Sequence, residues 1–437
     1  MASTFLSRTM GTSTSELKHT CSMWLKRTGI GSEQFVWMNR EDGSNRTYFR
    51  FNATDTISFK NEGGSSVDLQ TTQKFRDVGA WYNIVIAIDT TQATSSNRVK
   101  IYINGVQITS FSDETYPSQN AIFSFNNVCS IGSNGASSLY FDGLITHINI
   151  VDGTQELPTA FGEIDSTSGI WKPNTSPSVT YGTNGFFLKM ENASAMGTDS
   201  SGNSNTFTVS GSLTKNQDTP NNNFATLNPL NAFYTNSTFS NGNTTFASGN
   251  SSTATVGNFL INTGKFYWEV KVISKSGGGD NYGIGIQGQD ATAIDQFPGN
   301  QSTGWMYTAG GSYYTGGSGT STGVTYTAGD IIGVALDCTN NKLYWSKNGT
   351  FILSGNPSAG TGGISITAPA SVTLGGYYPS QTNWEATTSG TFSMNFGNGY
   401  FGTTPVSSAG TNASGNGIFE YDVPTGYTAL STKGLNS

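Results

Sequence analysis

The 437-residue sequence predicts an all-β chain, organised as two tandem antiparallel β-sandwiches. Three observations carry that expectation. The first is composition: 55 glycines, 12% aromatic residues and only 11% charged residues, against roughly 25% charged in ordinary globular domains. Long helices need Ala, Leu, Glu and Lys, whereas short strands joined by polar, glycine-rich turns do not. The second is period-2 alternation in short apolar runs, the pattern of strands with one buried face. The third is a hairpin unit that occurs twice, at residues 81–108 and 326–353.

Each copy reads as an apolar strand ending in Asp (Asp89, Asp337), a polar turn, a second strand and an Asn-Gly pair (Asn104-Gly105, Asn348-Gly349). Asp and Asn side chains bond their own backbone, and Asn-Gly is the strongest short-range hairpin signal. In the first copy a two-residue loop puts Ile103 opposite Val106 and Ile101 opposite Ile108. Val99, Ile101, Ile103, Val106 and Ile108 then share a face, with Lys100, Tyr102 and Gln107 on the other, so turn and pattern agree on one register. In the second copy Trp345 pairs with Ile352 on one face and Tyr344 with Leu353 on the other. A longer turn over residues 347–350 is equally compatible there.

In chain order, CSMWLKR alternates Cys21, Met23 and Leu25 with Ser22, Trp24 and Lys26. FVWMNRE, RTYFRFNA and DTISFKN follow as further strands, each ended by a turn residue. After the first hairpin unit come YPSQNAIFSFNNVCSIGSN and SLYFDGLITHINIVDG; in the latter Leu144, Thr146 and Ile148 oppose Ile145, His147 and Asn149. The order WLKR, WYNIVIAIDTT, RVKIYINGVQ, SIGSN, YFDGLITHINIVDG resembles the concanavalin A-like, laminin-G-type jelly roll. It resembles versions found in tailed-phage virion genes, including the trailing FGEID…GIWKP, YGTNGFFLKMEN and DSSGNSNTF segments. The first domain is therefore placed at residues 1–165, with 166–225 a strand-containing connector that completes it.

The second half runs STFSNGNTTFASG, GKFYWEVKV, GWMYTAGGSYYTGG, the second hairpin unit, LGGYYPS and FSMNFGN. The order GKFYWEV, GIGI, YTAGDIIGVALD, LYWSKNGTF is similar to the SPRY family, over residues 226–400. That resemblance implies a bent β-sandwich in which the W-E-V strand and the N-G hairpin are scaffold and ligands sit on loops at one rim. Residues 401–437, with Tyr421, Pro424 and Tyr427, are expected to dock on the second domain as a last strand or extended cover.

Several function classes are disfavoured by composition. Net charge is −7 with no Lys/Arg run, so the basic footprint of a nucleic-acid binder is missing. No apolar run approaches the ~18 residues of a membrane span. Cys21, Cys129 and Cys338 are odd in number and lack a C-x-x-C spacing, which fits free buried thiols. The opening MASTFLSRTMGTS has no basic-then-apolar leader, so synthesis in a host cytoplasm is expected.

Catalysis is weighed on three sets of residues. Glu163-Ile164-Asp165 imitates the first half of the E-x-D-x-x-E of laminarinase-type hydrolases, but Ser168 stands at the third acidic position. Glycoside hydrolysis needs a carboxylate pair with a proton donor. Two histidines, His19 and His147, cannot build a multi-His metal site, and each is expected to be a hydrogen-bonded structural residue in a strand. No G-x-S-x-G elbow, Walker loop or H-E-x-x-H is present. The laminin-G resemblance implies rim carboxylates for calcium, for which Asp113, Glu114 and Asp142 are available without a defining spacing. No catalytic residue, metal or cofactor is assigned, and the chain is read as a non-enzyme.

Surface recognition remains. Trp305, Tyr307, Tyr313, Tyr314, Tyr377, Tyr378 and Trp384 lie in stretches dense in Gly, Ser and Thr, and are the candidate ligand-binding aromatics. Aromatic faces stack on sugar rings and anchor protein contacts. Trp24, Trp81, Trp268 and Trp345 sit inside strands and are assigned to cores. The phage resemblance implies a virion surface component: a capsid decoration, head-fibre or tail-fibre protein. Its implied partners are other virion proteins, copies of itself and host surface polysaccharide. The rival reading is a dedicated lectin-like adhesin, and the third class is a glycan hydrolase of the concanavalin A-like fold.

Overall fold

The computed structural model describes residues 4–436 except 64–65, 124, 136–137, 234–236, 250–251, 278, 280–281, 291–296 and 386. Its contacts divide the chain into two compact units, Met1–Lys215 and Asn216–Ser437, so the division falls inside the 166–225 connector. Each unit is a pair of β-sheets around its own apolar core. Among the described residues no helix is long and apolar enough to cross a membrane.

In the first unit one sheet has eight strands, ordered Phe111–Thr115, Val67–Lys74, Thr56–Glu62, Arg46–Phe51, Gln34–Arg40, Val128–Ile131, Phe5–Thr9 and Thr208–Ser210. The other has six, ordered Phe186–Leu188, Gly143–Asp152, Lys18–Arg27, Trp81–Asp89, Val99–Ile103 and Val106–Gln107. Alternation aims Met23, Leu25, Phe49, Phe59, Ile86 and Ile101 into the space between them. Burying each such side chain contributes ~1.5–3 kcal/mol. The connector strand Phe186–Leu188 pairs with Gly143–Asp152, so this part of the connector belongs to the first sandwich.

The first hairpin has the register read from its turn: Ile103 faces Val106, and the N–H of Ile108 donates to the Ile101 carbonyl at 2.8 Å. One expected register does not hold. A bulge between Thr146 and Asn149, with His147 at φ 48°, shifts the strand Gly143–Asp152 by a residue. Ile145 before the bulge and Ile148 and Ile150 after it all face the core, so strict alternation through His147 is lost. An extra residue on one strand does this by construction.

In the second unit a seven-stranded sheet is ordered Leu227–Phe233, Thr253–Gly257, Tyr378–Asn383, Tyr282–Gln287, Gly304–Thr308, Ser312–Thr315 and Ser318–Ser321. The facing nine-stranded sheet contains Ser237–Ser240, Thr245–Ser248, Gly390–Asn395, Lys265–Lys275, Ile331–Asp337, Lys342–Lys347 and Thr350–Phe351, with Ile364–Ser365 and Thr428–Ala429 as additional short strands. Trp268 and Trp345 are core residues, and the Trp345 indole N–H crosses the sandwich to the Ile284 carbonyl at 3.1 Å. The second hairpin resolves to a two-residue turn, since Lys347 pairs with Thr350 and Asn348 and Gly349 take φ 47° and 82°. Leu353 leaves the strand at φ 55° and packs on the same core as Trp345, not on the Tyr344 face.

The C-terminal segment covers the outer side of the nine-stranded sheet. Thr428–Ala429 runs parallel to Lys265–Lys275, beside Phe266 and Tyr267. Phe419, Val423, Tyr427 and Ala429 pack with Tyr267, Ala335 and Tyr344 in a second apolar cluster. The chain ends in a short helix, Thr432–Leu435, capped by the Ser431 side chain.

Candidate functional site

The sequence candidates for reaction chemistry fall apart by position. Glu163 lies in the strand Gly162–Ile164 of a small hairpin, with Asp165 just after it; Lys172 bridges the two acids at 3.4 and 2.9 Å. Asp165 is held well below the usual carboxylate range by that ammonium first and by the Ser168 and Thr167 donors. Asp113 and Glu114 sit on the outermost strand of the eight-stranded sheet, while Asp142 binds Thr28 at the end of the other sheet. Among the described residues no three His, Cys, Asp or Glu side chains gather as a metal would require.

One constellation escaped the sequence reading. Asp152 accepts the Ser13 hydroxyl at 2.6 Å and lies 3.3 Å from His19 Nε2, and Ser13 Oγ lies 3.2 Å from that same nitrogen. A nucleophile relay needs the acid on one ring nitrogen and the serine on the other. Here both meet Nε2, and among the described residues Nδ1 has no hydrogen-bond partner. Asp152 also collects the N–H groups of Thr14, Ser15 and Asn184. This is a structural knot that ties residues 13–15 to the six-stranded sheet. Burial draws His19 down to about 4 despite Asp152, so the ring is neutral at pH 7. His147 is likewise lowered by burial and holds Thr146 Oγ1 at 3.0 Å.

The aromatic candidates separate into two groups. Trp305, Tyr307 and Tyr377 are 4%, 0% and 0% exposed, inside the core of the second unit, and cannot meet a ligand. The reason is local: GWMYT is the strand Gly304–Thr308, and alternation turns Trp305 and Tyr307 inward. Tyr313 is half-buried against that core, 6.0 Å from the Trp345 ring. Tyr314, Tyr378 and Trp384 are also half-buried, and Tyr314 lies on the opposite face of its strand from Tyr313.

Tyr314 therefore belongs to a surface feature at the edge of the seven-stranded sheet. Its strand Ser312–Thr315 pairs with Ser318–Ser321, the last strand in the order, and all four residues of that last strand are exposed. The Tyr314 ring lies over Gly319, where an added Cβ would stand 2.7 Å from its Cε1, and meets Phe297 edge-on at 5.6 Å. Glycine at 319 is what lets the ring lie across the strand. The turn is pinned from behind: Gly316 N–H donates to Gln301 and Gly317 N–H to Gly299, at 3.0 and 3.1 Å. The result is a hairpin with a short, uncharged outer strand and the half-buried Tyr314 ring beside it.

Sheet edges are normally guarded by charges, proline or bulges. In the first unit the edge strand Phe111–Thr115 carries Asp113 and Glu114 and a bulge between Phe111 and Asp113. Ser318–Ser321, sequence SGTS, carries none of these. Tyr314 was legible in the sequence as a candidate; Phe297 and Gly319 were not, because nothing local signals that they meet it.

Comparison with known proteins fits this architecture. Residues 6–156 match the family described as the Concanavalin A-like lectin/glucanases superfamily, and residues 265–359 match the SPRY domain. The chain carries a concanavalin A-like domain followed by a SPRY domain. Ran-binding protein 9 of Danio rerio is 39% identical over 89 residues, 20% of this chain and 14% of that protein. The Ran-binding proteins 9/10 homolog of Drosophila melanogaster is 38% identical over 88 residues, 20% of this chain and 9% of that protein. The chain thus spans at most 14% of the length of these two relatives. The structure of the human HERC1 SPRY domain aligns with 38% of this chain and 96% of its own, at 18% identity and a TM-score of 0.31.

These animal relatives overturn the expected bacteriophage virion component, and with it the virion partners, the host-polysaccharide contact and the virion-surface location. Jelly-roll and bent-sandwich frames recur in unrelated assemblies, so the resemblance to tailed-phage genes carried a fold and not a role. The edge hairpin Ser312–Ser321 lies within the residues matched to the SPRY domain.

Proposed function

We propose that the chain is a non-catalytic binding protein whose SPRY domain takes an extended polypeptide segment along the strand Ser318–Ser321. The observation that carries this reading is the unguarded outer strand beside the half-buried Tyr314 ring, which the buried Phe297 backs. A partner strand laid along that edge completes the backbone hydrogen bonds of Ser318–Ser321, and every second side chain of the partner meets the Tyr314 face. Main-chain bonding supplies affinity, and the Tyr314 ring supplies selection. The relatives support a protein partner, since they are named for binding another protein. The dispersed acids and the neutral, buried His19 support the absence of catalysis.

Selection of the intact chain against a displayed peptide library, followed by calorimetric titration of the selected peptides, tests the reading. Tyr314→Ala is expected to weaken binding about tenfold, and Thr320→Lys, which installs the charge that guarded edges carry, to weaken it by a similar factor. Peptides whose affinity ignores both changes, or sugar binding with no peptide selected, contradict it.

A further inference from the structure

Glu269, the central residue of the W-E-V strand, is 0% exposed. Among the described residues it makes no ion pair; its oxygens collect four donors from three segments. The N–H groups of Glu420 and Tyr421 each donate at 2.9 Å, Asn395 Nδ2 at 3.2 Å and the Tyr267 hydroxyl at 3.2 Å. Its cross-strand neighbour on Ile331–Asp337 is Gly333, which brings no charge. From the C-terminal side the titratable groups are Glu420 and Tyr421, and Asp330, paired with Lys347 at 3.1 Å, acts on Tyr421. Among the described residues no cation therefore offsets the buried carboxyl.

The two donated N–H groups belong to a folded-back lobe, residues 407–423. Gly410 N–H donates to Phe419, Val423 N–H to Thr411, Ser407 bonds Glu420, and Asp422 accepts from Thr411. Phe419 and Val423 bury themselves on Tyr267, Ala335 and Tyr344. The Tyr421 ring lies on Gly349, at the Asn348-Gly349 turn, where an added Cβ would be 2.6 Å from Cδ1. The lobe is thus fastened to the sheet by one carboxyl reading two consecutive backbone amides.

We infer that Glu269 is a proton-operated latch for the 407–423 lobe, which holds it most firmly in mild acid and loosens it as the pH rises to neutrality. Burial raises this carboxyl to about 7, against the pull of the four donors, from the ordinary glutamate value of 4.5 that it regains when the lobe is open. A group raised in the closed state binds more protons there than in the open one. Its stabilisation is complete below the open-state value and is lost as pH rises through the closed-state value. Opening uncovers the Tyr267, Ala335 and Tyr344 face and the Asn348-Gly349 turn. This device is independent of the edge proposed for peptide capture.

Hydrogen exchange of the intact chain, corrected for intrinsic rates, tests it. Protection of amides 419–423 is expected to fall by up to about tenfold per pH unit between pH 5 and 7 and then to level. Glu269→Gln is expected to flatten that profile. If that variant does not fold, Tyr267→Phe keeps the glutamate and withdraws one donor from its ionised form, which moves the falling limb to higher pH. A wild-type profile without pH dependence, an unchanged fall in Glu269→Gln, or an unmoved limb in Tyr267→Phe each overturn the inference.

Discussion

The two domains share one three-strand frame and differ at its centre. Lys18–Arg27, Trp81–Asp89 and Val99–Ile103 correspond to Lys265–Lys275, Ile331–Asp337 and Lys342–Lys347. Lys18 meets Asp89 at 3.5 Å, and Lys265 meets Asp337 at 3.0 Å. The turn residue Asn104 accepts the Asn83 N–H at 2.8 Å, as Asn348 accepts that of Ile331 at 2.8 Å. Each following glycine is roofed by an aromatic ring from a later segment, Trp171 over Gly105 and Tyr421 over Gly349. At the centre stand Ser22 and Glu269, both fully buried. In the first domain the roof is fastened by a neutral bond, Trp171 Nε1 to Asn83 at 3.1 Å; in the second it is fastened by a carboxyl. The same backbone solution thus carries neutral chemistry in one domain and a titratable group in the other.

The largest expected effect separates the two cores. Trp345→Ala is expected to cost the SPRY domain about 3–5 kcal/mol, from lost burial and the cavity left behind. In calorimetry of the intact chain the transition of the concanavalin A-like domain should hold its midpoint while the other falls; a common shift breaks the two-core comparison.

Next is acid sensitivity, where the domains oppose each other. His19 is lowered to about 4 by burial. Its folded form therefore binds fewer protons than the unfolded chain, and stability is lost as pH falls from 6.5 towards 4. The expected loss is about 2–3 kcal/mol, read as a falling urea midpoint of the first domain. Glu269 acts in the other direction, loosening its lobe as pH rises. Parallel slopes in both domains would erase this contrast.

A smaller effect sharpens the turn comparison. Gly105→Ala and Gly349→Ala both force a side chain to φ near 80°, a cost of about 1–2 kcal/mol each. The roofing ring is closer at Gly349, with a contact of 2.6 Å against 3.1 Å at Gly105. Gly349→Ala should therefore be the more destabilising of the pair in denaturant titrations. Smallest of all is Glu163→Gln. Its side chain is 63% exposed, and the expected change is within about 0.5 kcal/mol.

Much of this frame was legible in the sequence, because turn chemistry and alternation are local. The Asn104-Gly105 register follows from five residues on one face. What local patterns do not carry is the meeting of distant segments. Trp305 and Tyr307 read as loop aromatics because glycines flank them, yet the short strand they occupy turns both inward. The bulge at His147 adds a residue without any composition signal. Glu269 was visible only as a lone acid in an apolar strand; the amides that it holds lie in the C-terminal segment. Ser318–Ser321 carries no strand signal of its own in the sequence, and the sheet order reveals it as an unguarded edge.

The account rests on that edge as the place where a partner docks. Hydrogen exchange of the intact chain with and without a library-selected peptide reads it directly. New protection centred on Ser318–Ser321, abolished in Thr320→Lys, is the predicted result. Protection confined to the concanavalin A-like domain, or to strands away from Tyr314, would contradict it.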